Sequence, residues 1–139
     1  MKRDQTIEQK IAHLTFIQGV INRMGQNSFL LKGWSITIIA ALFALAAQGA
    51  NTKFVLIAYF PAIMFWLLDA YFLHQERLFR ALYEKVASND ISSDTYTLKT
   101  GLLKGEVDGY CSVVLSKTLT LFHGCIIGIL LFAMFGILT

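Results

Sequence analysis

The chain has 139 residues, of which 55% are apolar and 13% aromatic, and its formal net charge is +3. Three stretches of about twenty apolar residues leave little material for a separate soluble core, so we expect a single all-α integral membrane domain over 1–139. The basic residues are dispersed along the chain rather than clustered, which argues against a nucleic-acid partner.

The first predicted element is an amphipathic cytoplasmic helix within residues 1–27. Its apolar residues recur at three- and four-residue steps: Ile7, Ile11, Leu14, Ile17, Ile21 and Met24. This face has two interpretations, namely packing on another cytoplasmic helix, or contact with the membrane surface or a second copy of the chain. Gly25, Asn27 and Ser28 predict a break after this helix and a new N-cap for the next one.

Residues 29–47 and 54–73 are each long and apolar enough to cross a bilayer. The polar turn between them is short, which predicts a tight antiparallel transmembrane hairpin. Pro61 predicts a modest kink in the second span. Residues 74–87 keep helical apolar spacing beside a charged face, so we expect a cytoplasmic extension of the second helix on which the first helix docks.

Residues 88–117 are rich in polar residues and glycine, and predict a cytoplasmic loop with one short helical turn. A third apolar stretch, 119–138, predicts a C-terminal transmembrane helix. Cys111 and Cys125 are predicted to be reduced packing residues, because no His or Cys partner lies at a metal-ligand spacing. No metal and no cofactor are expected.

The distribution of basic residues predicts the orientation of the chain. Eleven of the twelve Lys and Arg residues precede or open the first span or lie between the second and third spans, and Lys53 is the exception. Because cytoplasmic segments carry the excess of positive charge, the N-terminus is expected in the cytoplasm and the C-terminus outside. A polar stretch of 28 residues before the first span argues against a cleaved signal peptide.

One ionisable residue in each span forms the candidate functional site: Lys32, Asp69 and His123. Residues 32–47, 54–69 and 123–138 are each sixteen residues long, so the three side chains are expected at one depth, roughly 24 Å from the outer face. Charge in a membrane is costly, so the three should face one another. We expect a Lys32–Asp69 ion pair, with His123 from the same chain or a neighbouring subunit as second partner.

This intramembrane trio has three interpretations. It fixes the register and topology of the hairpin, it forms part of an ion or proton pathway, or it lies near the interface without a role. Small residues at helical spacing provide a second signal, namely Gly33, Ala40, Ala44, Gly124 and Gly128. Small residues let helices approach closely, either within one chain or between copies, and two such stripes on different spans favour a homo-oligomer.

Enzymatic activity is not expected. The sequence contains no nucleophile elbow, no HExxH motif and no serine–histidine–aspartate arrangement with supporting glycines. His13 and His74 are predicted to be solvated or interfacial.

An amphipathic helix ending in Asn22, Arg23 and Met24, a short-turned hairpin, and a helix continuing through residues 75–83 (QERLFRALY) resemble the SLATT-type small bacterial membrane effector family. The resemblance covers residues 7–85, and the third span lies outside that two-span pattern. It implies an inner-membrane effector of an anti-phage defence system that assembles and breaches the membrane when a cytoplasmic sensor protein detects infection. It brings no catalytic residues.

The functional hypothesis is therefore a small homo-oligomeric protein of the bacterial inner membrane that forms a pore or perturbs the lipid. Two alternatives stay open: a small proton-coupled transporter with Asp69 as the proton carrier, and a non-catalytic accessory subunit of a larger membrane complex.

Overall fold

A computed structural model of the protein describes residues 6–48 and 53–138, and every regular element in those ranges is helical. The elements are α1 (Ile7–Ala47), α2 (Lys53–Ala87), a 3-10 turn (Gly101–Leu103), α3 (Tyr110–Val114) and α4 (Lys117–Leu138). The predicted all-helical class is confirmed. The short turn expected at 49–52 lies outside the described residues.

Helix α1 is a single helix of 41 residues. Its first turn is closed by Thr6, whose hydroxyl accepts from the Gln9 amide while the Gln9 side chain accepts from the Thr6 amide, both at 3.2 Å. The predicted break near Gly25 is wrong. A glycine costs a helix about 1 kcal/mol, but here α2 lies so close that a Cβ on Gly25 would stand 3.6 Å from Glu76, and this packing outweighs the local preference.

Helix α2 has 35 residues and continues through Pro61 and past residue 73 to Ala87, which confirms that the second helix extends beyond the predicted span. It ends in a turn where Asn89 adopts a positive φ of 63°, a conformation that asparagine tolerates better than most residues. The amine of Lys10 donates to the Ala87 carbonyl at 2.6 Å and to the Asn89 side chain at 2.9 Å. The start of α1 is thereby fastened to the end of α2.

Helices α1 and α2 lie side by side and antiparallel, and two apolar clusters hold them together. The first, which we call the Leu82 core, joins the N-terminal half of α1 to the C-terminal half of α2 through Ile17, Ile21, Leu78, Leu82, Val86 and Leu103. The second joins the other halves to α4 through Ile39, Ala58, Ala62 and Leu130. The predicted docking of the first helix on the α2 extension is confirmed by the Leu82 core.

The segment between α2 and α4 has more structure than the single helical turn that the sequence predicts. It contains the 3-10 turn, which contributes Leu103 to the Leu82 core, and α3, whose buried Val113 packs with Ala70 and Leu119. Helix α4 then packs against α2. Within the described residues its contacts with α1 are made by side chains, not by close approach of the two backbones.

Among the residues that the structure describes, three helices are long and apolar enough to cross a membrane: Ile7–Ala47, Lys53–Ala87 and Lys117–Gly136. In their most apolar windows only 11%, 28% and 17% of residues, respectively, are buried inside the chain. Large side chains such as Phe29, Phe60 and Phe132 are at least 73% exposed. So much uncovered apolar surface is unfavourable in water and matches an apolar surrounding.

Candidate functional site

The structure brings the three ionisable residues of the spans together in one chain. Asp69 is completely buried on the face of α2 that points at α1. The Lys32 amine lies 2.5 Å from Asp69 Oδ2, so the expected ion pair is present. The Lys32 side chain keeps 22% of its surface exposed, whereas the Asp69 side chain keeps none.

The third member, His123, reaches the same carboxylate from α4. Its Nε2 lies 2.9 Å from Asp69 Oδ2. Because a carboxylate can only accept, Nε2 is the protonated ring nitrogen and donates. His123 is fully buried, and its other ring nitrogen, Nδ1, has no hydrogen-bond partner among the described residues.

Ser28 completes the site, and its role was not predicted from the sequence. Its hydroxyl donates to Asp69 Oδ1 at 2.5 Å and accepts from the Lys32 amine at 3.0 Å. The sequence does contain a signal, because residues four apart lie on the same face of a helix and Ser28 is four residues before Lys32. We call Ser28, Lys32, Asp69 and His123 the charge cluster. Each of the two carboxylate oxygens of Asp69 has at least one donor.

Aromatic rings enclose His123. Trp66 stacks on it with ring centroids 5.8 Å apart and 10° between the planes, and Phe122 meets its edge at 5.0 Å. The Lys32 amine lies 5.8 Å from the centroid of Phe122, within the range of a cation–π interaction. These rings shield the cluster, and a charge pair of this kind interacts more strongly where water is excluded.

Helix α3 is attached to the helix turns that carry the cluster. The Trp66 indole donates to the Val114 carbonyl at 3.0 Å, and the Tyr110 hydroxyl donates to the Leu67 carbonyl at 2.8 Å. Partial burial, with a smaller contribution from Cys111, raises the pKa of Tyr110, so its phenol keeps the proton that it donates. The segment between α2 and α4 is therefore linked directly to the residues beside Asp69.

The small residues of the two stripes lie where helices of one chain do not meet. Gly33, Ala40, Ala44 and Gly128 are exposed, and Gly124 is half-buried. A Cβ added at Gly33 or Gly128 would meet nothing within 4 Å, and one at Gly124 would meet only the side chain of Thr120 on its own helix. Within the part of the chain that the structure describes, no other helix comes within 4 Å of a Cβ placed at any of these three glycines.

The prediction that His13 is solvated or interfacial is also wrong. His13 is completely buried, and its Nε2 donates to the Thr97 carbonyl at 2.8 Å while its Nδ1 lies 3.0 Å from the Ser93 hydroxyl. Its ring also meets Tyr96, whose backbone has a positive φ of 47°. His13 thus anchors the loop that follows α2. His74 is half-buried against the ring of Tyr110.

Both cysteines are exposed on the chain, so the prediction that Cys111 and Cys125 are packing residues is wrong. Among residues 6–48 and 53–138, no three His, Cys, Asp or Glu side chains form a group able to hold a metal ion. The chemistry available to the charge cluster is that of one carboxylate, one amine and one imidazole. Such a set can hold helices in register and can take up or release a proton.

No protein-family model, no curated protein and no solved structure matches this chain.

Proposed function

We propose that this chain is a small inner-membrane protein whose copies associate and make the membrane permeable to ions. The charge cluster is the observation that supports this most. Asp69 and His123 are completely buried within segments apolar enough to cross a bilayer. Ionisable groups at such positions are costly to retain, and in membrane proteins they commonly serve ion or proton movement.

In the proposed orientation the N-terminus and the Leu82 core face the cytoplasm, α1 and α2 form a transmembrane hairpin, and the C-terminus lies outside. Eleven of the twelve Lys and Arg residues are then cytoplasmic. The charge cluster lies near the inner face, and the long stem of Lys32 can carry its amine to the lipid head groups.

Association of several copies is part of the proposal because the three candidate spans found in the described part of one chain are too few to enclose a water-filled path. Helices α1 and α4 flank α2 without their backbones meeting. Gly33, Ala40 and Ala44 on α1, and Gly128 on α4, are uncovered. Small uncovered residues of this kind allow helices from neighbouring copies to approach closely.

The resemblance to SLATT-type effectors adds the biological setting to the proposal. The protein would serve anti-phage defence, and a cytoplasmic sensor would act on the part of the chain outside the lipid. That part is joined to the charge cluster through α3, because Trp66 and Tyr110 tie α3 to α2. A signal received in the cytoplasm therefore has a short physical route to Asp69.

One observation favours proton-coupled transport as a second candidate function. Lys32 and His123 contact the same oxygen of Asp69, and two bases on one carboxylate form an arrangement that can exchange a proton. A transporter would move protons only together with a substrate. A pore would let ions pass without one.

Reconstitution of the purified protein into liposomes tests the proposal. We expect release of a trapped ion-sensitive dye without added substrate, and a detergent-solubilised particle whose protein mass is a multiple of 15.6 kDa. Liposomes that stay as tight as protein-free ones, together with a particle of one chain, would contradict the pore. Proton movement that starts only on addition of a substrate would favour the transporter.

A further inference from the structure

Two basic side chains contact the same oxygen atom in the charge cluster. The Lys32 amine lies 2.5 Å and His123 Nε2 lies 2.9 Å from Asp69 Oδ2. The other carboxylate oxygen, Oδ1, accepts from Ser28. Asp69 thus has one oxygen for two groups that can each carry a positive charge.

Charge balance decides the protonation of the cluster in this arrangement. The single negative charge of Asp69 compensates one positive charge, and a second one would leave a net charge in a site that excludes water. With the Lys32 ammonium in place, a neutral His123 satisfies this balance. Its Nε2 proton is donated to Asp69, which leaves Nδ1 as an unprotonated nitrogen with no partner among the described residues.

The two bases differ in their freedom to leave the carboxylate. The Lys32 side chain is 22% exposed and has a long flexible stem, so it can withdraw toward the head groups. His123 is fully buried between the rings of Trp66 and Phe122 and has no such route. An exchange of partners at Asp69 can therefore begin only with Lys32.

We propose that His123 is a proton-binding site: when the Lys32 ammonium withdraws to the cytoplasmic head groups, Nδ1 of His123 takes up one proton and the imidazolium replaces the ammonium as the positive charge beside Asp69. Lys32 keeps its own proton, and the proton gained comes from cytoplasmic water, so the cluster keeps its charge balance. Asp69 stays ionised throughout, which makes His123 and not Asp69 the proton carrier.

The groups that face His123 are few, which makes the exchange simple to interpret. Asp69 faces it from α2 and Lys32 stands on the α1 side of the same carboxylate. At this end of α4, α3 contributes the uncharged side chains Val113 and Val114. The inference rests on the proposed membrane placement of the cluster, but it requires no ion flux. The proton-binding site and the proposed pore can therefore each fail without the other.

Nitrogen-15 NMR of ring-labelled histidine in lipid nanodiscs tests the inference at a fixed pH of about 7. A neutral imidazole gives two widely separated ring signals, and an imidazolium gives two similar ones. We expect a neutral His123 protonated at Nε2 in the unmodified protein, and a doubly protonated His123 as the major form in Lys32→Met. His123→Gln assigns the signals among the three histidines of the chain.

Two control variants separate loss of the ammonium from general damage. Lys32→Arg keeps a positive charge beside Asp69 and should leave His123 neutral. Lys99→Met removes a lysine from the exposed loop and should also leave it neutral. A neutral His123 in Lys32→Met would overturn the inference, and so would a doubly protonated His123 in the unmodified protein at this pH.

A pH titration of the unmodified protein provides an independent measurement that needs no variant to fold. As the pH falls, the signals of a doubly protonated His123 should appear together with a shift of the Lys32 amine resonance. The two changes should coincide because the imidazolium replaces the ammonium as the positive charge beside Asp69. Protonation of His123 with no change at Lys32 would contradict the exchange.

Discussion

Trp66 links α3 to the charge cluster, because one face of its indole stacks on His123 while its Nε1 donates to the Val114 carbonyl. The ring planes differ by 10° and the hydrogen bond is 3.0 Å long. A movement of α3 therefore moves a ring that is in contact with the imidazole next to Asp69.

Trp66→Phe should keep most of the stacking but remove the hydrogen bond to Val114. The loss of about 1 kcal/mol should raise hydrogen exchange in Tyr110–Val114 roughly fivefold. Mass spectrometry of deuterated protein in detergent measures the change. Trp34→Phe, at a tryptophan that is 59% exposed on α1, is the matched control and should leave α3 unaffected. Equal protection of α3 in both variants would show that the indole does not hold it.

Asp69→Asn should abolish ion leakage from liposomes but leave the chain folded. The amide still fills the site, and Lys32, left without its counter-charge, can move to the head groups. Dye release and circular dichroism of the same sample provide the two readouts. Asp108→Asn is the control. It removes a carboxylate that is 62% exposed and forms an ion pair with Arg77, and it should leave leakage unchanged. Unchanged leakage in Asp69→Asn would exclude the cluster from the ion path.

Ser28→Ala should destabilise the protein by about 2 kcal/mol, because Asp69 Oδ1 loses its hydroxyl donor. Ser35→Ala is the matched control on the same helix, since Ser35 is completely buried and its hydroxyl has no partner among the described residues. Removing an unpaired hydroxyl should cost little or even stabilise. Thermal unfolding in detergent compares the two variants, and equal midpoints would mean that the hydroxyl of Ser28 contributes nothing.

His13→Ala should loosen the loop after α2, because the Thr97 carbonyl loses its donor and Tyr96 loses a ring that supports its unfavourable backbone conformation. A buried group left without its partner costs about 1–3 kcal/mol. Limited proteolysis should then cut within residues 88–100 faster than in the unmodified protein. His74→Ala, which removes a half-buried ring beside Tyr110, should leave that loop as resistant as before.

Gly33→Leu should leave the fold of one chain intact, because a Cβ at Gly33 meets nothing within 4 Å. If copies associate across this stripe, the bulky side chain should lower the mass of the detergent-solubilised particle. Gly19→Leu, at an exposed glycine in the N-terminal half of α1 that is equally open, is the control and should not change the mass. An unchanged mass for Gly33→Leu would place the contact between copies elsewhere.

The sequence predicted the membrane-compatible helices and the meeting of Lys32 with Asp69 for one physical reason. A helix needs about twenty apolar residues to cross the hydrocarbon layer, and a charge buried there is energetically unfavourable. Apolar runs of that length, and the few charged residues within them, are therefore strong indicators of structure in the sequence. The antiparallel arrangement of α1 and α2 followed from the short connection. Equal depth in three spans then placed His123 near the same carboxylate.

The remaining features depend on contacts between residues far apart in the chain, and local patterns do not report those. The partners of His13 lie 80 and 84 residues further along, in a polar segment without periodicity. Gly25 has a low intrinsic helix propensity and so predicts a break, yet the nearby α2 keeps α1 helical there. Ser28 resembled an N-cap for the same reason, although its hydroxyl serves Asp69.

The uninterrupted course of α1 has a mechanical consequence. Its 41 residues form a rod about 60 Å long, roughly twice the thickness of the hydrocarbon layer of a bilayer, and no break interrupts the helix between Ile7 and Ala47. A rotation of α1 that begins near Ile7 is therefore transmitted along the whole helix, and Lys32 rotates with it.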